Sequence, residues 1–140
     1  MFNILSIFIG ILIGLMTCFN GMLSTYIGNY TSSVIIHFVG LTAVLFILIF
    51  NKSKIKFDKA LPISLYSAGI IGVFTVLFNN MTFVPLGATL TMALSLFGQT
   101  VSSLIIDHFG ILGVTVSKFS TKKLIGLGII ILGLIIMVIF

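Results

Sequence analysis

Five long apolar stretches make up most of this chain and decide what it can fold into. A helix that crosses a hydrocarbon core about 30 Å thick needs roughly 17–25 apolar residues. The stretches are continuously apolar, whereas the strands of a membrane β-barrel alternate between apolar and polar residues. The sequence therefore predicts an all-α integral membrane protein with a single transmembrane domain over residues 1–140. Its five transmembrane helices are predicted at about 2–19, 32–50, 62–79, 86–106 and 124–140.

Charged side chains are scarce along the whole chain. They make up 6% of the sequence, whereas an ordinary soluble domain has about 25%. So few charges cannot cover a water-exposed surface, so membrane lipid is the expected surrounding. The lysines lie at the ends of the apolar stretches, where they orient a protein in the membrane. Nucleic acid is therefore not an expected partner.

The lysines all fall on one side of the predicted five-span topology. The N-terminus, the second loop and the fourth loop share one side of the membrane, and the opposite side has no lysine or arginine. Because cytoplasmic loops carry the positive excess, the N-terminus is predicted to be cytoplasmic and the C-terminus outside. The lysines concerned are Lys52, Lys54, Lys56, Lys59, Lys118, Lys122 and Lys123.

A polar stripe runs along the fourth apolar stretch. Thr91, Ser95 and Gln99 recur at four-residue spacing, so they share one face of a helix. Such a face either lines a polar cavity or holds helices together by hydrogen bonds, and both interpretations stay open. Gln99 is the strongest candidate for a cavity, because its amide has four hydrogen-bonding positions.

Three polar residues on other helices complete a predicted substrate pathway. His37 lies within the second stretch, where a structural hydrogen bond is the alternative to a substrate contact. Asn20 and Asn79 are predicted to end the first and third helices near the outer surface. Because asparagine suits helix caps and turns, capping is the alternative there, and most of all for Asn80. The predicted pathway consists of Asn20, His37, Asn79, Thr91, Ser95 and Gln99.

A charged pair of residues marks the inner end of the fourth helix. Asp107 and His108 follow its last apolar residue, and Lys122 and Lys123 come shortly before the fifth helix. An anchor at the membrane surface and a cytoplasmic gate are both compatible with this position.

The residue types needed for catalysis are missing from the apolar stretches. They contain no carboxylate, and the chain has no nucleophile–base–acid set, phosphate-binding loop or metal-ligand cluster. Cys18 is the only cysteine, so no internal disulfide can form. We therefore expect no enzyme, no catalytic residue, no cofactor and no metal.

The second half of the chain resembles a known membrane protein family. The run GVFTVLFNNMTFVPLGATLTMALSLFGQTVSSLIIDHFGILG is followed by KKLIGLGIIILG. The marks within it are Pro85-Leu-Gly-Ala, Gly98-Gln99 and Ile-Asp107-His108-Phe-Gly, with Asn20 and His37-Phe in the first half. These residues resemble the YdcZ-type family of bacterial inner-membrane proteins, a five-helix branch of the drug/metabolite transporter superfamily.

The resemblance implies half of a ten-helix transporter with inverted repeats. Two five-helix subunits of opposite orientation would hold a small-molecule substrate near the midplane. Because the lysine bias is complete, we expect an antiparallel heterodimer with a homologous subunit rather than a homodimer. The spacing of Gly126 and Gly133 resembles the dimer helix of small multidrug transporters, which implies a dimer interface on the fifth helix.

The function implied is secondary transport of a small polar or amphipathic metabolite or drug by alternating access. Two alternatives stay open at this point. One is a channel subunit for a small solute or ion, and the other is an accessory membrane subunit with no transport role.

Overall fold

The computed structural model describes residues 2–54, 61, 63–117 and 120–139. Four α-helices occupy most of these residues: α1 (Phe2–Ile27), α2 (Asn29–Phe50), α3 (Ala68–Phe109) and α4 (Thr121–Ile139). Short 3₁₀ turns cover Ile63–Ser67 and Ile111–Gly113. The predicted helix start at Pro62, the predicted helix end at Phe140 and the lysines Lys56, Lys59 and Lys118 lie outside the described residues.

The first two helices are joined at a single glycine. Residues 20–31 had been predicted as a polar loop, but α1 continues through Asn20 to Ile27 and α2 begins at Asn29. The hydroxyls in this segment bond to carbonyls of their own helix, as Ser24 does to Gly21 O at 2.7 Å, so the segment can remain helical. Gly28 makes the break with φ 84°, a conformation that glycine adopts without a Cβ clash.

The helix α3 contains a break where two separate helices had been predicted. Residues 80–85, which the predicted helix bounds leave between two helices, are helical, and the non-helical residue is Gly87 with φ 73° and ψ 175°. Pro85 lacks an N–H and its ring crowds the preceding turn, which weakens the helix at this point. The first part of α3 therefore runs past the predicted helix end at residue 79, whereas the predicted helix start at residue 86 lies one residue before the break. The residues on either side of Gly87 are each numerous enough for about one crossing.

The helices are long and apolar enough to cross a membrane. Three runs meet that requirement in the described residues, namely Phe2–Ile27, Asn29–Phe50 and Leu65–Phe109, and Lys123–Ile139 is a shorter apolar helix. Contacts along the chain divide it into two compact units, residues 1–85 and 86–140. The first unit contains α1, α2 and the first part of α3, and the second contains the rest of α3 and α4.

The distribution of polar and apolar side chains is the reverse of that in a soluble protein. Among the described residues no apolar side chain is buried, and large Ile, Leu, Val and Phe side chains are exposed on every helix. An exterior of this kind is stable in lipid, which is as apolar as the side chains themselves. The buried polar residues are Thr17, Ser24, Ser32, Ser33, Asn80 and Thr91.

Candidate functional site

Small residues form the buried face of α1 in the first unit. Thr17, Gly21 and Ser24 are all buried, and their spacing places them on one face of the helix. The Thr17 hydroxyl donates to Ile13 O at 2.9 Å and the Ser24 hydroxyl to Gly21 O at 2.7 Å. Both hydroxyls are therefore satisfied within α1, and this face is free to pack closely.

A close contact at Gly21 joins α1 to α3. A Cβ added at Gly21 would overlap the ring of Phe83. The ring therefore lies directly against the backbone of α1, at a distance that only glycine permits.

A buried hydrogen bond joins α2 to the same part of α3. Asn80 Nδ2 donates to Ser32 Oγ at 3.3 Å, and the Ser32 hydroxyl in turn donates to Asn29 O at 3.0 Å. Ser32 therefore uses its oxygen both as donor and as acceptor. The sequence favours a capping role for Asn80. In the structure α3 continues beyond this residue, so Asn80 links two helices and does not cap one.

A cavity lies beside this junction, along α2 and the first part of α3. Its volume is about 420 Å³, within the range of small-molecule sites. Its surface is almost entirely apolar, although three of its α2 residues carry a polar group. The lining residues are Tyr30, Ser33, Val34, His37, Val73 and Leu77.

The hydroxyl of Ser33 is buried without a partner in this cavity wall. Ser33 is 6% exposed, and its Oγ makes no hydrogen bond within the described part of the chain. Leaving a buried polar group unpaired costs about 1–3 kcal/mol. A residue with this cost is a candidate for binding something that supplies the missing partner.

His37 lies one helical turn beyond Ser33 and bonds to its backbone. The distance from His37 Nδ1 to Ser33 O is 2.7 Å. A carbonyl oxygen can only accept, so Nδ1 carries the proton in this bond, and in the neutral ring Nε2 carries a lone pair. His37 is half-buried, and its Nε2 bonds to none of the described residues. The ring therefore offers an unoccupied acceptor.

The other pathway residues predicted in the first unit do not line this cavity. Asn20 is half-buried inside α1, seven residues before its end at Ile27. Asn79 is half-buried next to Asn80, inside α3. Neither residue ends a helix, which corrects that part of the prediction.

The polar stripe in the second unit passes from a buried to an exposed position. Thr91 is 2% exposed, and its Oγ1 makes no hydrogen bond to any residue that the structure describes. Ser95 is half-buried and Gln99 is exposed. The second part of α3 carries all three side chains, so they share a face as predicted from their spacing.

A cluster of polar contacts lies in the segment that connects α3 to α4. Lys123 Nζ lies 3.5 Å from Asp107 Oδ2 and donates to Ser117 Oγ at 3.0 Å. The Ser117 amide donates to Asp107 O at 2.9 Å. The His108 ring meets the Phe109 ring edge-on at 4.9 Å. Asp107 thus lies close to Lys123. This contact is compatible with both interpretations of the sequence, an anchor at the membrane surface and a cytoplasmic gate.

The two glycines of the predicted dimer interface face open space. A Cβ at Gly126 or Gly133 would meet no atom of the described structure within 4 Å. The packing of α4 within the chain therefore does not explain them. A separate apolar groove of about 290 Å³ lies beside α4. It is lined by Leu94, Phe97, Ile131, Leu134, Ile135, Val138 and Ile139.

Comparison with known proteins gives one family. The family model described as "Putative inner membrane exporter, YdcZ" matches residues 1–136. No curated protein and no solved structure matches the chain.

Proposed function

Because the chain belongs to the YdcZ-type family of the drug/metabolite transporter superfamily, we propose that it is one subunit of a dimeric exporter of small polar or amphipathic molecules. The family match confirms the resemblance inferred from the sequence. It makes the chain a multi-pass inner-membrane protein of a transporter class rather than of an enzyme class. Alternating access of the substrate pathway to the two sides of the membrane is part of the proposal.

The proposal rests on two residues, Ser33 and His37, which lie one helical turn apart in the cavity wall of the first unit. Both residues present unused hydrogen-bonding capacity on a helix that is otherwise apolar. Polar groups in hydrocarbon cost free energy unless a partner satisfies them. A transported molecule that supplies the partner in passing accounts for their presence.

The remaining predicted pathway residues are proposed to act at other stages of the same passage. Thr91 resembles Ser33, because it too is a buried hydroxyl without a partner among the described residues. Asn20, Asn79, Ser95 and Gln99 are proposed as further contacts, and Asp107 with His108 as a cytoplasmic gate.

Dimerisation and orientation are proposed from the sequence and from the apolar exterior. Helices α1, α2 and α4 and the two parts of α3 would supply five crossings, which is half of a symmetric carrier. The lysine bias supports a cytoplasmic N-terminus and a homologous partner subunit inserted the other way. The open faces of Gly126 and Gly133 are compatible with an interface on α4.

Orientation is tested first, by fusing a reporter to the C-terminus. Alkaline phosphatase should be active there and green fluorescent protein dark, because the C-terminus is proposed to lie outside. Fluorescence of the fusion in the cytoplasm would refute the orientation and, with it, the lysine argument for a heterodimer.

Transport is tested by comparing what cells export. Cells that express the chain with its homologous partner should release at least one compound that cells with the His37→Phe variant retain. Uptake of that compound by liposomes containing the purified pair should saturate with concentration. Unsaturable flux would indicate a channel, and the absence of any flux would indicate an accessory subunit.

A further inference from the structure

The cavity of the first unit has a chemistry that restricts what it can bind. We propose that it takes an uncharged amphiphile with an N–H or O–H group that donates to His37 Nε2. The inference rests on the proposed function, because it names the substrate class of the same site.

His37 can act towards a ligand only as a hydrogen-bond acceptor. Since Nδ1 must donate to Ser33 O, the neutral ring has only an acceptor left at Nε2. An acceptor selects ligands that carry a donor. An ether, an ester or a tertiary amine without N–H would leave this nitrogen unpaired.

A second polar group in the lining is the hydroxyl of Ser33. The residue Ser33 is more than nine-tenths buried and lines the cavity, and its Oγ has no partner among the described residues. A hydroxyl can donate or accept, so it adapts to a second polar atom of the ligand. Tyr30, Ser33 and His37 follow one another along α2 over a rise of roughly 10 Å, which suits a ligand with polar groups along one edge.

The charge of the lining is a further restriction. Besides the polar residues the cavity is lined by Val34, Val73 and Leu77, and the described residues of its lining include no lysine, aspartate or glutamate. A charged ligand would lose its hydration without gaining a counter-charge, which is costly in a setting of low dielectric constant. The lining therefore favours an uncharged ligand whose apolar side faces Val73 and Leu77.

A lipid tail and a partner helix are the competing occupants of this cavity. An acyl chain would fill the apolar side but would leave Ser33 Oγ and His37 Nε2 unpaired. A ligand with a donor for His37 Nε2 and a second polar atom for Ser33 Oγ satisfies both groups, and for that reason the structure favours it. The two competitors are outcomes of the test below.

Indole is a suitable probe, because the chain has no tryptophan of its own. Fluorescence of bound indole, excited at wavelengths where tyrosine absorbs little, can therefore be read with little background from the protein. Indole has one N–H donor, and 1-methylindole has nearly the same shape without it. Tryptamine and indole-3-acetate add a positive or a negative charge to the same ring. Binding is measured with the full chain in lipid nanodiscs, with empty nanodiscs subtracted.

Indole should bind about tenfold more tightly than 1-methylindole, and more tightly than either charged analogue. In His37→Phe the preference for indole over 1-methylindole should disappear, as expected for loss of one hydrogen bond. In Ser33→Ala the preference should persist, because indole has no second polar atom for the Ser33 hydroxyl. Unchanged binding of 1-methylindole would show that each variant is folded. If His37→Phe does not fold, His37→Gln restores an acceptor and should keep part of the preference.

Thr42→Val is the matched control, because its hydroxyl bonds to Phe38 O on the same helix and it does not line the cavity. This variant should bind all probes as the wild type does. Equal binding of indole and 1-methylindole to the wild type would overturn the proposal. It would show that the probes partition by hydrophobicity alone, as they would into lipid. Loss of indole binding when the homologous subunit is added would also overturn it, since the cavity would then seat a partner helix.

The two proposals fail in different ways. A donor preference that depends on His37, in a protein that moves no compound across liposomes, would retain the binding site and refute the exporter. Saturable export without any donor preference would retain the exporter and refute the ligand class.

Discussion

Asn80 and Ser32, 48 residues apart in sequence, are joined by a hydrogen bond of 3.3 Å from Asn80 Nδ2 to Ser32 Oγ. Their side chains are 1% and 0% exposed. Since no apolar side chain of the described residues is buried, this buried polar contact rather than a hydrophobic core links the two helices here. It fixes α2 against α3 next to the cavity that contains Ser33 and His37.

Asn80→Ala should therefore destabilise the protein by about 1–3 kcal/mol, because Ser32 loses its donor and the amide leaves a void. Unfolding in mixed detergent micelles measures this. Ser32→Ala in the Asn80→Ala background should add little, since the two side chains act as a pair. Asn51→Ala, at an exposed position after α2, should change stability by less than about 0.5 kcal/mol. Full additivity of the two changes would contradict the coupling.

Gly21→Ala should destabilise the contact between α1 and α3 by about 1–3 kcal/mol, because the new methyl group would overlap the Phe83 ring. Phe83→Ala in the same chain should recover part of the loss by making room. Gly10→Ala on the same helix has open space around it and should be neutral or slightly stabilising. Thermal unfolding of the variants distinguishes these outcomes, and equal effects at Gly21 and Gly10 would refute the close contact.

Gly87→Ala should cost about 1–3 kcal/mol, because φ 73° with ψ 175° is a conformation that residues with a Cβ avoid. Gly98→Ala lies in a regular part of α3 with open space around it, so its effect should be near zero or slightly favourable. The measurement is the yield of correctly inserted, protease-resistant protein together with its unfolding temperature. A Gly87→Ala variant as stable as Gly98→Ala would show that the break does not need glycine.

Ser33→Ala should raise the stability of the ligand-free protein by up to about 1 kcal/mol, because it removes a buried hydroxyl that lacks a partner. The same change should lower export, since the hydroxyl is proposed to contact the substrate. Stability and export are measured on one preparation. A loss of stability would indicate that Ser33 has a structural partner outside the described residues.

Gln99→Ala should abolish transport and leave assembly unchanged, because Gln99 is proposed to contact the substrate and is exposed in its own unit. Size-exclusion chromatography of the assembled pair and liposome uptake are the two measurements. Thr100→Val is the neighbouring control, since Thr100 Oγ1 bonds to Leu96 O within the helix. Wild-type transport by Gln99→Ala would remove Gln99 from the pathway.

Several features of the candidate site could be read from the sequence, and others could not. His37 stood out as an ionisable residue in an apolar helix, and it does line the cavity. Gly21 and Ser32 carried no such signal, because small residues are common in membrane helices. Asn80 was visible but was interpreted as a cap, since the helix was expected to end at residue 79.

The sequence by itself determined the membrane-embedded helical class, because the length of an apolar run and the lack of charge report directly on the surrounding solvent. The transporter family came from the resemblance of its motifs, such as Gly98-Gln99, to those of a known family. The ends of the helices were predicted less accurately from the sequence. A polar segment such as residues 20–27 stays helical when its hydroxyls bond within the helix, and composition does not show this. Only the tertiary structure decided which polar groups are paired, as in Asn80 with Ser32, and which are not, as in Ser33. Pairing depends on distances between residues far apart in the chain, and no local pattern encodes them.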